Sequence, residues 1–135
     1  MIELLQSKIV WICVFTWFLC QCTKFSIHAM REKHGKAKQF FSSGGMPSSH
    51  AAIVAAFASL VYLEQGMSAL FLTAGLLATI TIYDAIVFRR QLGIQARAIN
   101  QLAKGKVKLQ ASLGHEPAEV LAGVIIGIAL AVLLY

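Results

Sequence analysis

Residues 42–52, SSGGMPSSHAA, join a basic stretch to a run of small apolar residues. Within them, Pro47 followed by Ser48 and Ser49 is typical of the start of a helix. Backbone N–H groups in a first helical turn have no partner inside the helix and favour an anion nearby. The two serine hydroxyls can add further donors, so this segment predicts an anion site.

Two glycines and a histidine complete this candidate site. Gly44 and Gly45 lack a Cβ, which lets the backbone approach a ligand closely. His50 follows the serines, and an imidazole can give or take a proton near neutral pH. We interpret the stretch as a phosphate cradle with an acid beside it. The simpler alternative is a capped helix with an incidental histidine.

A second histidine stands in LGHEPAEV, residues 113–120. His115 and Glu119 are four positions apart and therefore share one face of a helix. A carboxylate that accepts a hydrogen bond from one imidazole nitrogen leaves the other nitrogen available for attack. The alternative is a cap histidine with a solvated Glu119. Glu119 begins an apolar segment, however, where ionisable groups are costly and usually functional.

Cations are predicted around both histidines. Lys24 and Arg31 end the first apolar segment, and Arg89 and Arg90 end the third. A phosphoryl group carries charge on its oxygens and needs such partners. Asp84 lies about one turn before the two arginines. It could form a structural ion pair with them, or it could orient an arginine or a histidine.

The elements that must position these residues are membrane helices. Apolar residues make up 58% of the 135-residue chain and charged residues 13%, against about 25% charged in soluble domains. This composition predicts a single integral membrane domain, 1–135. The net charge of +6 favours anionic lipid or a phosphorylated substrate, and nucleic acid is the least expected partner in so apolar a chain.

The predicted fold class is all-α: a membrane helical bundle with about four spanning helices and an interfacial helix. The interfacial helix is expected at residues 92–105, where apolar residues recur near helical spacing. Small residues in GVIIG, 123–127, predict close helix packing. The four apolar segments are 4–27, 48–63, 67–88 and 117–135, of which the second is short for a span.

Four spans would place both polar connections, 31–47 and 89–116, on one side. These connections hold most of the basic residues, and the positive-inside rule puts them in the cytoplasm. Basic residues that bind phosphate would produce the same bias. The topology predicts that His50 and His115 converge at one face of the cytoplasmic (inner) membrane.

Three motifs, GGMPSSHAA, YDAIVFRRQLGIQA and LGHEPAEVLAG, together resemble the divergent branch of the type-2 phosphatidic acid phosphatase family. The resemblance covers most of residues 21–127. It implies a helical bundle that hydrolyses a lipid phosphomonoester or pyrophosphate without a metal or other cofactor. It assigns protonation of the leaving oxygen to His50 and attack on phosphorus, giving a phosphohistidine, to His115. Glu119, in place of the family's aspartate, would orient His115.

The chain departs from the wider family at all three of its signatures, and in the second Ser49 stands where the family has glycine. Lys24 and Arg31 keep the spacing of the first signature but lack its proline. The Ser-Arg half of the third signature is absent, and residues 108–110 stand in its place. Arg89 or Arg90 is expected to replace the missing arginine.

The leading functional hypothesis is therefore a membrane lipid phosphate phosphatase. A cytoplasmic site favours substrates made on that face, such as phosphatidylglycerophosphate, whereas an inverted topology favours polyprenyl pyrophosphate. The alternative is a catalytically weak phosphate-binding, transport or assembly protein, motivated by the missing Ser-Arg. A purely structural bundle would explain the spans but not His115 with Glu119. The oligomeric state is left open.

Overall fold

The computed structural model describes residues 7–31, 45–103, 106–109 and 116–135, and every element within them is helical. This confirms the predicted all-α class. The elements in chain order are α1 (Lys8–Arg31), α2 (Ser49–Gln65), α3 (Ala69–Tyr83), a π turn (Asp84–Phe88), α4 (Arg89–Leu102) and α5 (Pro117–Leu134).

Three helical stretches in the described part of the chain are long and apolar enough to cross a membrane: Lys8–Ile27, Ala69–Leu102 and Pro117–Leu134. Helix α2 has 17 residues and is about 26 Å long, short of the roughly 30 Å hydrocarbon core. The predicted count of four spans is thus approximate, since α2 does not meet the length of a full span.

Helix α2 is the centre of the bundle and packs against α1, α3 and α5. Its buried side is made largely of alanines, including Ala52 and Ala56, and two larger residues, Leu60 and Val61. Lipid tails are as apolar as these side chains, so association depends on close van der Waals contact. Small residues permit that contact because they let helix backbones approach.

Helices α2 and α5 lie very close together, and the GVIIG pattern of α5 predicts close packing of this kind. A Cβ added at Gly123 would overlap the carbonyl oxygen of Ser48, and one at Gly127 would overlap that of Ala52. The backbone of α5 therefore lies directly against the backbone of α2. This contact holds the first turns of the two helices together.

Helices α2 and α3 form a hairpin with a very short connection. Gly66 ends α2 with φ 62°, and its N–H donates to the carbonyl of Tyr62 over 2.8 Å. Ser68 then caps α3 by accepting the N–H of Phe71 at 3.1 Å. A connection of this length brings the two helices side by side and antiparallel.

The third apolar segment and the predicted interfacial helix are one continuous helical run. Residues Ala69–Leu102 include α3, the π turn and α4. The sequence predicted a span that ends at 88 and a separate helix that begins at 92, but no break separates them. Residues 84–92 contain neither proline nor glycine, so nothing in this stretch breaks the helix. The transition is marked instead by the wider π turn.

Candidate active site

A backbone hydrogen bond joins the start of α2 to the first turn of α5. Ser48 caps α2 by accepting the N–H of Ala51 on its Oγ at 3.4 Å. Its own backbone N–H donates to the carbonyl of Glu119 over 3.0 Å. Ser48 and Ser49 are 0% and 2% exposed. The predicted helix start is therefore confirmed, and both serines lie inside the bundle.

The chain that leads into α2 requires a glycine. Gly45 has φ 86°, in the left-handed region where a Cβ is disfavoured. The Met46–Pro47 peptide bond that follows is cis, and Pro47 is buried. Gly44 lies outside the described residues.

His50 lines a small cleft between α2 and the end of α3. It is exposed on the first turn of α2, while Ser48 and Ser49 are buried. Arg89 Nε donates to Asp84 Oδ2 over 2.6 Å, and the two side chains are 39% and 40% exposed. The cleft is lined by His50, Thr81, Asp84, Ala85 and Arg89.

The π turn is what brings Arg89 to Asp84. In a regular α-helix, residues five positions apart point about 140° away from each other. Here the N–H of Arg89 bonds to the carbonyl of Asp84, the i→i+5 pattern of a π helix, so Arg89 returns above Asp84. π turns of this kind frequently occur at functional sites. The sequence does not predict this π turn, for which a carboxylate inside an apolar segment is a weak signal.

The structure separates the two neighbouring arginines. Arg89 lines the cleft with His50, whereas Arg90 is exposed and does not contribute to the lining. Of the two residues considered as the replacement arginine, the structure brings only Arg89 to His50.

A second pair of charges lies between α1 and α5. Lys24 is 3% exposed, and its ammonium lies within electrostatic range of the Glu119 carboxylate. A buried ammonium is costly without a partner, so Glu119 is a natural counter-charge for it. Lys24 and Glu119 thus lie near each other where α1 packs against α5.

Glu119 also has a structural role. Its Oε2 accepts the backbone N–H of Glu116 at 3.1 Å, and the Glu116 side chain accepts the backbone N–H of Glu119. This reciprocal capping box, with Pro117 at the start of the helix, fixes the beginning of α5. A carboxylate has about four lone-pair sites, so this bond leaves room for further partners.

Besides Gly44, two predicted site residues lie wholly or partly outside the described residues. His115 lies outside the described residues, as does the side chain of Arg31. The predicted meeting of His50 with His115 therefore stays a prediction. In the sequence His115 directly precedes Glu116, the residue that caps α5.

The described site residues lie at one end of the bundle, on five different elements. Two features define this arrangement. His50 and Arg89 line the same cleft, and a backbone hydrogen bond from Ser48 to Glu119 joins α2 to α5. Imidazole, guanidinium and ammonium groups at adjoining helix ends are suited to an anionic group. The fold and the site thus define a helical integral membrane protein with a cationic, imidazole-bearing end.

The sequence profile of the Divergent PAP2 family matches residues 5–130, and the chain belongs to this family. It is also similar to an uncharacterized membrane protein of Bacillus subtilis, YuiD. The two are 39% identical over 113 residues, which cover 69% of this chain and 72% of YuiD. No solved structure matches the chain. The predicted resemblance is confirmed, and family membership suggests a relation to phosphatases.

Proposed function

We propose that the protein is a membrane phosphatase that hydrolyses a lipid phosphomonoester through a phosphohistidine. The observation that carries this proposal is the cleft in which His50 faces Arg89, itself held by Asp84. An acid–base group beside a fixed guanidinium is what phosphoryl transfer requires, because that reaction depends on positioning and charge stabilisation.

The phosphate would be held by groups from three helices. Arg89 can form two parallel hydrogen bonds to phosphate oxygens, and Asp84 restricts the guanidinium orientation beforehand. The N–H groups at the start of α2, next to Ser48 and Ser49, add donors and a favourable helix dipole. Lys24 supplies a further charge from α1.

The reaction would proceed in two steps. First, a ring nitrogen of His115 attacks phosphorus, the P–O bond to the lipid alcohol breaks, and His50 transfers its proton to the departing oxygen. Then water attacks the phosphohistidine, the P–N bond breaks, and the now neutral His50 accepts the proton of that water. Inorganic phosphate leaves, and both histidines return to their starting states. A lone pair of Glu119 would accept the other ring N–H of His115.

The basic connections favour a site on the cytoplasmic face. Substrates on that face include phosphatidylglycerophosphate, which we propose as one member of the substrate class. A site on the opposite face would instead meet polyprenyl pyrophosphate.

The proposal is tested by phosphate release from short-chain lipid phosphates with the protein purified in detergent. We expect release that persists in EDTA, that vanadate inhibits, and that passes through an acid-labile phosphoprotein. Absence of both phosphate release and phosphoprotein across phosphatidic acid, phosphatidylglycerophosphate and polyprenyl pyrophosphate would refute the proposal.

A second candidate is a phosphate-binding membrane protein without turnover. The use of the Glu119 carboxylate in the capping box favours it, because that bond explains the residue structurally. The absent Ser-Arg half of the family signature points the same way. Tight binding of vanadate by the wild-type protein, with no phosphate release, would support this candidate.

Arg89 and Arg90 form a matched pair for testing the cleft. We expect Arg89→Gln to lower kcat/KM for a lipid phosphate by about 10²- to 10³-fold, because a positioned donor to the transferring group is lost. Arg90→Gln, with the same charge change one position along, should stay within about twofold because surface changes away from a site have small effects. The measurement is steady-state phosphate release with vanadate inhibition. Equal losses would show that only the general positive charge matters.

A further inference from the structure

The helical run through the third span is too long for the hydrocarbon. Residues Ala69–Leu102 form 34 residues of helix, about 51 Å, whereas the core of a bilayer is about 30 Å thick. The excess corresponds to about 14 residues, which is the length of α4. Helix α4 therefore begins near the surface of the leaflet that contains the candidate active site.

Helix α4 presents two different exposed sides. Leu92, Ile99 and Leu102 fall within one side of the helix at 100° per residue, and they are 52%, 45% and 82% exposed. Arg90 and Arg97 lie on the opposite side, and both are exposed. An exposed apolar side opposite a basic side is typical of a helix that lies in a membrane interface.

Two hydrogen bonds with the side chain of Asn100 hold a second basic segment beside this helix. Asn100 Nδ2 donates to the carbonyl of Leu109 at 2.8 Å, and the N–H of Leu109 donates to Asn100 Oδ1 at 2.7 Å. This pair of bonds holds the end of segment 106–109 beside α4. Lys106 and Lys108 in that segment are exposed. Helix and segment thus form one surface, which we call the α4 surface.

The charge of the α4 surface has one sign. Residues 89–115 contain six Lys and Arg residues and no Asp or Glu. Two copies of such a surface would repel each other, whereas an anionic leaflet attracts juxtamembrane basic residues. Charge complementarity therefore selects the lipid surface over a second copy of the chain.

We propose that the α4 surface, α4 with residues 106–109, docks onto the anionic phospholipid headgroups of the leaflet next to the candidate active site. The apolar side enters the headgroup boundary, and the basic residues contact the phosphates. Docking of the α4 surface does not depend on hydrolysis. It predicts that docking strengthens with the anionic fraction of the leaflet and weakens with salt.

The experiment uses the full chain in lipid nanodiscs, with one copy per disc and, in a parallel series, two copies per disc. A variant without its native cysteines, Cys13, Cys20 and Cys22, receives a single cysteine labelled with an environment-sensitive fluorophore. Ile99→Cys reports the apolar side, and Gln101→Cys, two positions along and about 160° away around the helix, is the matched control. Emission is compared in zwitterionic discs and in discs rich in phosphatidylglycerol.

We expect a blue shift at position 99, absent at 101, that appears in anionic discs and reverses in high salt. Replacing Lys106 and Lys108 by Gln should weaken docking about tenfold or more, since each basic residue near an anionic surface contributes roughly a fivefold factor. Emission that is independent of lipid charge would overturn the proposal. So would a shift that appears only when two copies share a disc, because that would assign the surface to self-association.

Discussion

His50→Ala is expected to lower kcat/KM for a lipid phosphomonoester by about 10²- to 10⁴-fold, the usual contribution of a positioned general acid. The loss arises because a lipid alcohol leaves poorly as an alkoxide and needs a proton as the P–O bond breaks. His50 is on the first turn of α2 and opens into the cleft with Arg89, where it can supply that proton. Phosphate release from a short-chain lipid phosphate measures the effect.

The identity of the leaving group separates acid catalysis from a structural role for His50. An acidic phenol departs without being protonated, so His50→Ala should keep most of its first-turnover release of nitrophenol from nitrophenyl phosphate. His115→Ala should abolish reaction with both substrates, because it removes the proposed nucleophile. A His50→Ala variant that loses both activities equally would contradict the assignment of His50 as the acid.

Gly127→Ala is expected to destabilise the protein by about 3 kcal/mol, at the upper end of the cost of overpacking. The added Cβ would overlap the backbone carbonyl of Ala52, and a backbone atom cannot move aside by changing rotamer. Helices α2 and α5 would have to separate. Thermal or denaturant unfolding in detergent measures the change.

Gly75 is the matched control for this substitution. It lies within helix α3, and an added Cβ there would meet nothing within 4 Å. Gly75→Ala should therefore be neutral or stabilising by up to about 1 kcal/mol, the difference in helix propensity. Equal stability of the two variants would show that α2 and α5 are not held by backbone contact. Gly127→Ala should also impair the site, because the same contact aligns Ser48 with Glu119.

Local chemistry made several features predictable. The caps of α2 and α5 follow from Ser48 and Pro117, because a helix start satisfies its own free N–H groups with nearby residues. The close contact at Gly123 and Gly127 follows from two small residues one turn apart in an apolar helix. Each of these features depends on residues a few positions apart in the chain.

For the candidate site, the sequence predicted a set of residues but not their arrangement. The sequence named His50, Glu119, Lys24 and two adjacent arginines, but it did not distinguish Arg89 from Arg90. That distinction depends on the π turn, whose i→i+5 bond rotates every later side chain relative to α3. No residue type between Asp84 and Phe88 favours the i→i+5 hydrogen bond of a π helix over the i→i+4 hydrogen bond of an α-helix.

By itself the sequence determined that this protein is an all-α membrane protein, where most of its helices begin, and which residue types gather at one end. Composition and hydrogen-bonding rules act over a few residues and can be read directly. The tertiary structure decided that α2 is central, that Lys24 is buried near Glu119, and that Arg89 rather than Arg90 lines the cleft with His50. These outcomes depend on which faces of the helices are in contact. Packing between segments that are far apart in the sequence decides those contacts.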